Sequence, residues 1–186
     1  MVGSEQSDYT VKYSGTDPVD YTRYFYDVSG TNTRADSTTI NKKMTASVTS
    51  KGSAATSLTL DATTKSITYY VNGTGEEQSD YTVKYAGVTP VDYTRYFYDT
   101  GVKASSDTVN KRMYASQTDT GAAVATLSAV ASTKSITYYE NIVGNEQSNY
   151  TVKYAGTTAV DRTYYFYSGN RASTSTTNVA MTSSQT

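Results

Sequence analysis

One block of sequence returns three times, and this repetition constrains the fold more than any other feature. EQSDYTVKYSGTDPVDYTRYFYD (Glu5–Asp27) recurs as EQSDYTVKYAGVTPVDYTRYFYD (Glu77–Asp99) and as EQSNYTVKYAGTTAVDRTYYFYS (Glu146–Ser168). TKSITYY occurs at Thr64–Tyr70 and Thr133–Tyr139. A third block centres on Met: TINKKMTAS (Thr39–Ser47), TVNKRMYAS (Thr108–Ser116) and TTNVAMTSS (Thr176–Ser184). The period of roughly 70 residues suits a small β-module rather than a solenoid coil. Ser116-Gln117-Thr118 matches Ser184-Gln185-Thr186. Counting back from there places full modules at 50–118 and 119–186, preceded by a partial module at 1–49 that lacks the TKSITYY block.

Within a module the alternation has a period of two. Tyr81, Val83 and Tyr85 point one way while Thr82 and Lys84 point the other, as in a half-buried strand. Five strands are expected per full module, near 124–131, 135–140, 149–154, 160–167 and 176–183 in the last. AAVATLSAVA (Ala122–Ala131) could be a short helix by composition, but its counterpart AATSLTLDA (Ala54–Ala62) alternates as a strand would, and strand is the expectation for both. Gly15, Gly87 and Gly156 fall between strands, where a hairpin needs a permissive residue. Pro18 and Pro90 adjoin the same turn, consistent with entry into a strand.

Composition agrees. Leu, Ile, Val and Phe total only about 27 residues, whereas Tyr alone supplies 20. Ser and Thr, about 57 together, favour extended backbone with polar faces over helix. The expectation is all-β structure with thin, Tyr-rich cores.

The missing residues narrow the chemistry. With no His and no Cys, there is no Ser-His-Asp or Cys-His nucleophile system, no usual zinc site and no disulfide. The net charge of −1 leaves no basic block for phosphates, so nucleic acid is not an expected partner. No apolar run approaches the ~18–20 residues of a membrane span. MVGSEQSD at the start lacks the basic and apolar regions of an export signal.

Four polar residues recur in every copy: Glu5/77/146, Gln6/78/147, Lys12/84/153 and Asp20/92/161. Glu77 with Asp92 is conceivable as an acid/base pair, but turn residues and cross-strand Lys–Asp pairs account for the pattern more simply. Asp8, Asp17, Asp20 and Asp27 resemble a calcium set in number, yet the third copy carries Asn149, Thr158 and Ser168 at three of these places. Turn chemistry is the favoured reading. No catalytic residue, metal or cofactor is expected. Two glycosylation sequons, at Asn72 and Asn149, are of the kind that chance produces in a Thr-rich chain.

The Tyr/Arg pattern is more informative. On VDYTRYFY, Val19, Tyr21, Arg23 and Phe25 share one face, and Asp20, Thr22, Tyr24 and Tyr26 the other. In the third copy Tyr21/Arg23 becomes Arg162/Tyr164, so the aromatic and the guanidinium exchange places on one face. Tyr and Arg are favoured at binding hot spots and stack on one another. Tyr21, Arg23, Tyr93, Arg95, Arg162 and Tyr164 therefore form the candidate interaction face. Core filling by the same rings is the competing explanation.

Repeat length, strand spacing and Thr/Ser/Tyr richness resemble the tandem immunoglobulin-like β-sandwich repeats of phage structural proteins and bacterial surface proteins. The resemblance implies small antiparallel sandwich modules and a non-enzymatic structural role on the outside of a virion, as a decoration or fibre component. An extracellular filament subunit or surface adhesin is the neighbouring expectation, and a multivalent carbohydrate-binding module the competing one. The partial module is expected to leave a sheet edge unpaired, open to strand addition by a neighbouring subunit. Partners are accordingly this chain itself, other virion or surface proteins, or glycans.

Overall fold

A computed structural model describes residues 6–173, 176 and 178–186. The strands are β1 (Tyr9–Ser14), β2 (Asp17–Val28), β3 (Thr31–Arg34), β4 (Met44–Ser50), β5 (Thr64–Val71), β6 (Gln78–Ala86), β7 (Thr89–Tyr98), β8 (Val102–Lys103), β9 (Met113–Asp119), β10 (Thr133–Glu140), β11 (Gln147–Ala155), β12 (Thr158–Tyr167), β13 (Asn170–Arg171) and β14 (Met181–Gln185). The chain groups into two compact units, 1–91 and 92–186. Pairing is antiparallel within each, in the order β1-β2-β4-β5-β6 in the first, with β3 beside β2, and β7-β9-β10-β11-β12 in the second, with β8 beside β7 and β13 and β14 beside β12.

The repeated sequence sets this meander directly. Strands are joined by tight turns whose residues suit them: Gly15, Gly87 and Gly156 all have φ between +62° and +65°, a region that only Gly enters without strain. Because successive strands pair with each other, those of each unit enter one layer rather than dividing between the two facing sheets of the expected sandwich. The third Met block extends over residue 177, which lies outside the described residues; its strand is Met181–Gln185 rather than 176–183.

A second correction concerns 54–62 and 122–131. Neither is a strand or a helix; both are irregular segments laid on the sheet. In the first unit Phe25, Ala46, Val48 and Ile67 form a buried cluster, against which Ala55, Leu58 and Leu60 pack. In the second, Val124 and Leu127 cover Phe97, Ala115 and Ile136. A one-layer sheet has no second sheet to bury its apolar face, so the long connection does this. The alternation in AATSLTLDA thus reflects contacts with the face beneath, not a ladder.

The opposite face is lined with hydroxyls. Cross-strand Thr pairs stand with their oxygens 2.9 Å apart at Thr22–Thr49 and Thr94–Thr118, and 2.8 Å apart at Thr68–Thr82 and Thr137–Thr151. Such pairs contribute roughly 0.2–1 kcal/mol each. Buried Thr residues also close the turns. Thr39, Thr108 and Thr176 each accept a backbone N–H three residues back, at 2.8–2.9 Å, and donate to the carbonyl of that same residue.

The two full copies solve one polar problem differently. In the first unit Asp61, on the crossing segment, accepts the Thr64 hydroxyl at 3.2 Å. In the second, Val130 stands at that place, and the carboxylate comes from β9: Asp119 accepts the Thr133 hydroxyl at 2.7 Å and the Gln117 amide at 3.3 Å. The first unit has Ser50 and Val48 at these two positions. The carboxylate has moved from loop to strand while its Thr partner is retained. Asp119→Ser should therefore cost about 1–3 kcal/mol by stranding buried polar groups. Adding Val130→Asp should restore much of it, read as a positive coupling in a urea-denaturation double-mutant cycle; strictly additive losses would contradict the exchange.

Candidate interaction face and sheet edge

The TRYFY strand places its arginine over the apolar face, and its surroundings decide its use. Arg23 is 5% exposed. It donates from Nε to the Ala55 carbonyl at 3.0 Å, pairs with Asp8, and lies 4.8 Å from the Tyr9 ring centroid. Arg95 repeats the first contact, donating to the Val124 carbonyl at 3.0 Å. Both guanidinium groups thus fasten the crossing segment to the sheet. Tyr21 and Tyr93 are half-buried. The aromatic partner of Arg23 is Tyr9 across the ladder, a pairing that parity along one strand could not reveal.

The third copy differs as its sequence does. Arg162 is exposed, 5.6 Å from the Tyr150 ring centroid, and donates to the Tyr164 hydroxyl at 3.4 Å. Arg171 stacks on Tyr164 at 4.3 Å, although the sequence pattern did not single it out. Rings continue along this face: Tyr138 stacks on Tyr150 at 4.7 Å and meets Tyr114 edge-on at 5.9 Å, and Tyr150 is tilted against Tyr164 at 6.0 Å. A hollow of about 410 Å³ beside this row is lined by Asp161, Arg162, Tyr164 and apolar Val152, Ala159 and Val160. Tyr21, Arg23, Tyr93 and Arg95 do not line it. Of the six face residues, Arg162 and Tyr164 come together at this open hollow.

Most of the recurring polar residues have structural partners. Glu77 accepts the backbone N–H of Met44 at 3.0 Å and of Gly75 at 2.8 Å, and Glu146 accepts Met113 N–H at 3.0 Å. Glu5 lies outside the described residues. Gln6 donates to the Lys42 carbonyl and Gln147 to the Val179 carbonyl. Asp20 binds Lys65 and Asp92 binds Lys134, both at 2.8 Å, so the lysine comes from the TKSITYY block rather than from Lys12 or Lys84. In the third copy Asp161 has Lys153 at 3.8 Å. Of the suggested calcium set, Asp8 is engaged by Arg23 and Arg34, and Asp27 by Gly30 N–H and Lys43. Among the described residues no three metal-ligating side chains gather. Among the described residues no helix is long and apolar enough to cross a membrane.

Two ionisations report on this face. Partial burial works against the Asp8 charge, but hydrogen bonds and charge from Arg23 and Arg34 outweigh it and hold the carboxyl below its ordinary value. Burial, with neighbouring Tyr150, Tyr154 and Tyr114 adding, pushes the Tyr138 hydroxyl up to about 12.

The sheet ends are the other candidate. β1 pairs only with β2 among the described strands, and Tyr9 and Tyr13 on it are exposed. No protein family matches the chain, and no curated protein or solved structure shows significant similarity to it.

A depressed carboxyl stabilises the fold above its unfolded pKa of roughly 4, and that contribution is lost as pH falls through the folded value. Unfolding free energy should drop below about pH 4, and Asp8→Asn should flatten the drop. The same variant should cost about 1–2 kcal/mol at neutral pH, less than for a fully buried pair because Asp8 is partly solvated. For Tyr138 the raised value means stability complete below pH ~10 and lost as pH rises towards 12. Ultraviolet difference titration should show a late-ionising tyrosine that disappears in Tyr138→Phe.

Proposed function

We propose that this protein is a non-enzymatic structural and assembly protein of a virion exterior, as decoration or fibre component, linking subunits by strand pairing at the open edge of β1. The observation that carries this is the edge itself. Asp8–Tyr13 repeats the DYTVKY of Asp80–Tyr85, and the latter lies in β6, which holds β5 on the flank that β1 leaves open. An edge unpaired among the described strands, with Lys12 as its one charged residue, is a template for another strand unless something blunts it. A repeated sequence without His or Cys, with hydroxyl ladders in place of disulfides, supports a scaffold on the outside of a particle. The same properties suit an extracellular filament subunit or a surface adhesin.

A second reading, multivalent carbohydrate binding, is favoured by one feature. The hollow at Asp161, Arg162 and Tyr164 combines a ring face with a carboxylate and a guanidinium, the groups that stack on sugars and bind their hydroxyls. Glycan-array binding abolished by Tyr164→Ala would shift the balance to this reading.

Negative-stain electron microscopy with light scattering tests assembly. Filaments, rings or particles are expected for the intact chain. The Asp8 carbonyl accepts Tyr24 N–H, so Tyr9 and Val11 turn their backbone groups away from β2. Val11→Pro removes an outward N–H without touching the β1–β2 ladder. Assembly should be lost in Val11→Pro and kept in Val11→Thr; a monodisperse wild-type monomer, or assembly indifferent to proline, would overturn edge pairing.

A further inference from the structure

We infer that the outer edge of β1 is a docking site for one extended polypeptide segment of the kind seen in β5 and β10, with Lys-Ser-Ile-Thr-Tyr alternation. This rests on the edge-pairing reading above and names the occupant. The internal copies show what such an edge accepts. β6 holds β5 through Ser66↔Lys84, Ile67↔Val83, Thr68↔Thr82 and Tyr69↔Tyr81. β11 holds β10 in the equivalent register, Ser135↔Lys153 to Tyr138↔Tyr150.

Both junctions carry the same side-chain contacts. Tyr69 stacks on Tyr81 at 4.7 Å, and Tyr138 on Tyr150 at 4.7 Å. The Thr hydroxyls of each pair stand 2.8 Å apart. Ile67 and Val83, like Ile136 and Val152, are buried together. On β1 the matching groups are Tyr9, Thr10, Val11 and Lys12. Tyr9 is 49% exposed, so a ring whose counterparts Tyr81 and Tyr150 each stack on a tyrosine of the adjoining strand is open to one here.

The last strand presents the other flank of the same gap. β4 and β9 carry β5 and β10 beside them, whereas their counterpart β14 pairs only with β12 among the described strands. The lysine of the adjoining strand binds Asp20 and Asp92, whose side chains are 16% and 19% exposed. Asp161 is 40% exposed and meets Lys153 at 3.8 Å, leaving room for the lysine of such a segment. Charge complementarity therefore favours this chemistry at β14 too. Direct pairing of β14 with β1 of a second copy fits less well. Strands of the β4 and β6 types both run antiparallel to the β5 between them, so laid side by side they would be parallel in an otherwise antiparallel sheet. One inserted segment restores the alternation and joins two copies.

The test uses the full chain and a fluorescent synthetic peptide of residues 62–72. Saturable binding by anisotropy is expected for the wild type and Val11→Thr, with slowed hydrogen exchange at the Tyr9 and Val11 amides. Val11→Pro in the protein, or Ile67→Pro in the peptide, should weaken binding about tenfold or more. No saturable binding to the wild type, or equal binding by Val11→Pro, would overturn the proposal. Wild-type assembly that is sensitive to Val11→Pro but neither binds nor exchanges with the peptide would remove this occupant, place a second copy on the edge, and leave edge-mediated assembly standing.

Discussion

The bond from an arginine on the sheet to a carbonyl of the segment lying over it is the tie on which burial in each compact unit depends. A meander of tight turns yields a single layer, and a single layer exposes its apolar face to water. Here Phe25 and Phe97 are buried because a long connection crosses above them. That connection has no ladder of its own, so its carbonyls need donors. Arg23 supplies one to Ala55, and Arg95 to Val124, each at 3.0 Å. The guanidinium can do this over an apolar surface because its stem packs while its planar head donates. Asp8 and Tyr9 then complete the environment of Arg23.

The hydroxyl-rich face follows a different logic. Threonine favours extended backbone, and of two threonines opposite each other one hydroxyl donates to the other without a charge. Buried threonines at turns do the same for loop backbone. Where two copies diverge, they keep the hydroxyl and move its acceptor, as the exchange between Asp61 and Asp119 shows. A buried hydroxyl without an acceptor is costly, whereas the origin of the acceptor is immaterial to the energy. This is how the modules differ in sequence while retaining one architecture.

The third copy departs from this arrangement in linked ways. Arginine and tyrosine exchange places at 162 and 164, Arg171 stacks where an arginine tie would stand, and Asp161 lacks the close lysine its counterparts have. Arg23 and Arg95 are tied to the crossing segments, whereas Arg162 is exposed beside a hollow that Asp161 and Tyr164 also line.

Local alternation and local backbone preference set the strands of the repeated blocks and the glycine turns, and both can be read directly in the repeated sequence. It also placed Arg162 and Tyr164 together on one face, because parity along a single strand is a local property. Only long-range packing decides that the strands of each unit pair in one layer, that 54–62 and 122–131 cross over that layer rather than join it, and that Arg23 is buried while Arg162 is exposed. These outcomes depend on partners distant in sequence: the aliphatic stripe beneath a crossing segment, the carbonyl above an arginine, the neighbour beside a strand. A local pattern records that a side chain will be buried, but not which distant element will bury it.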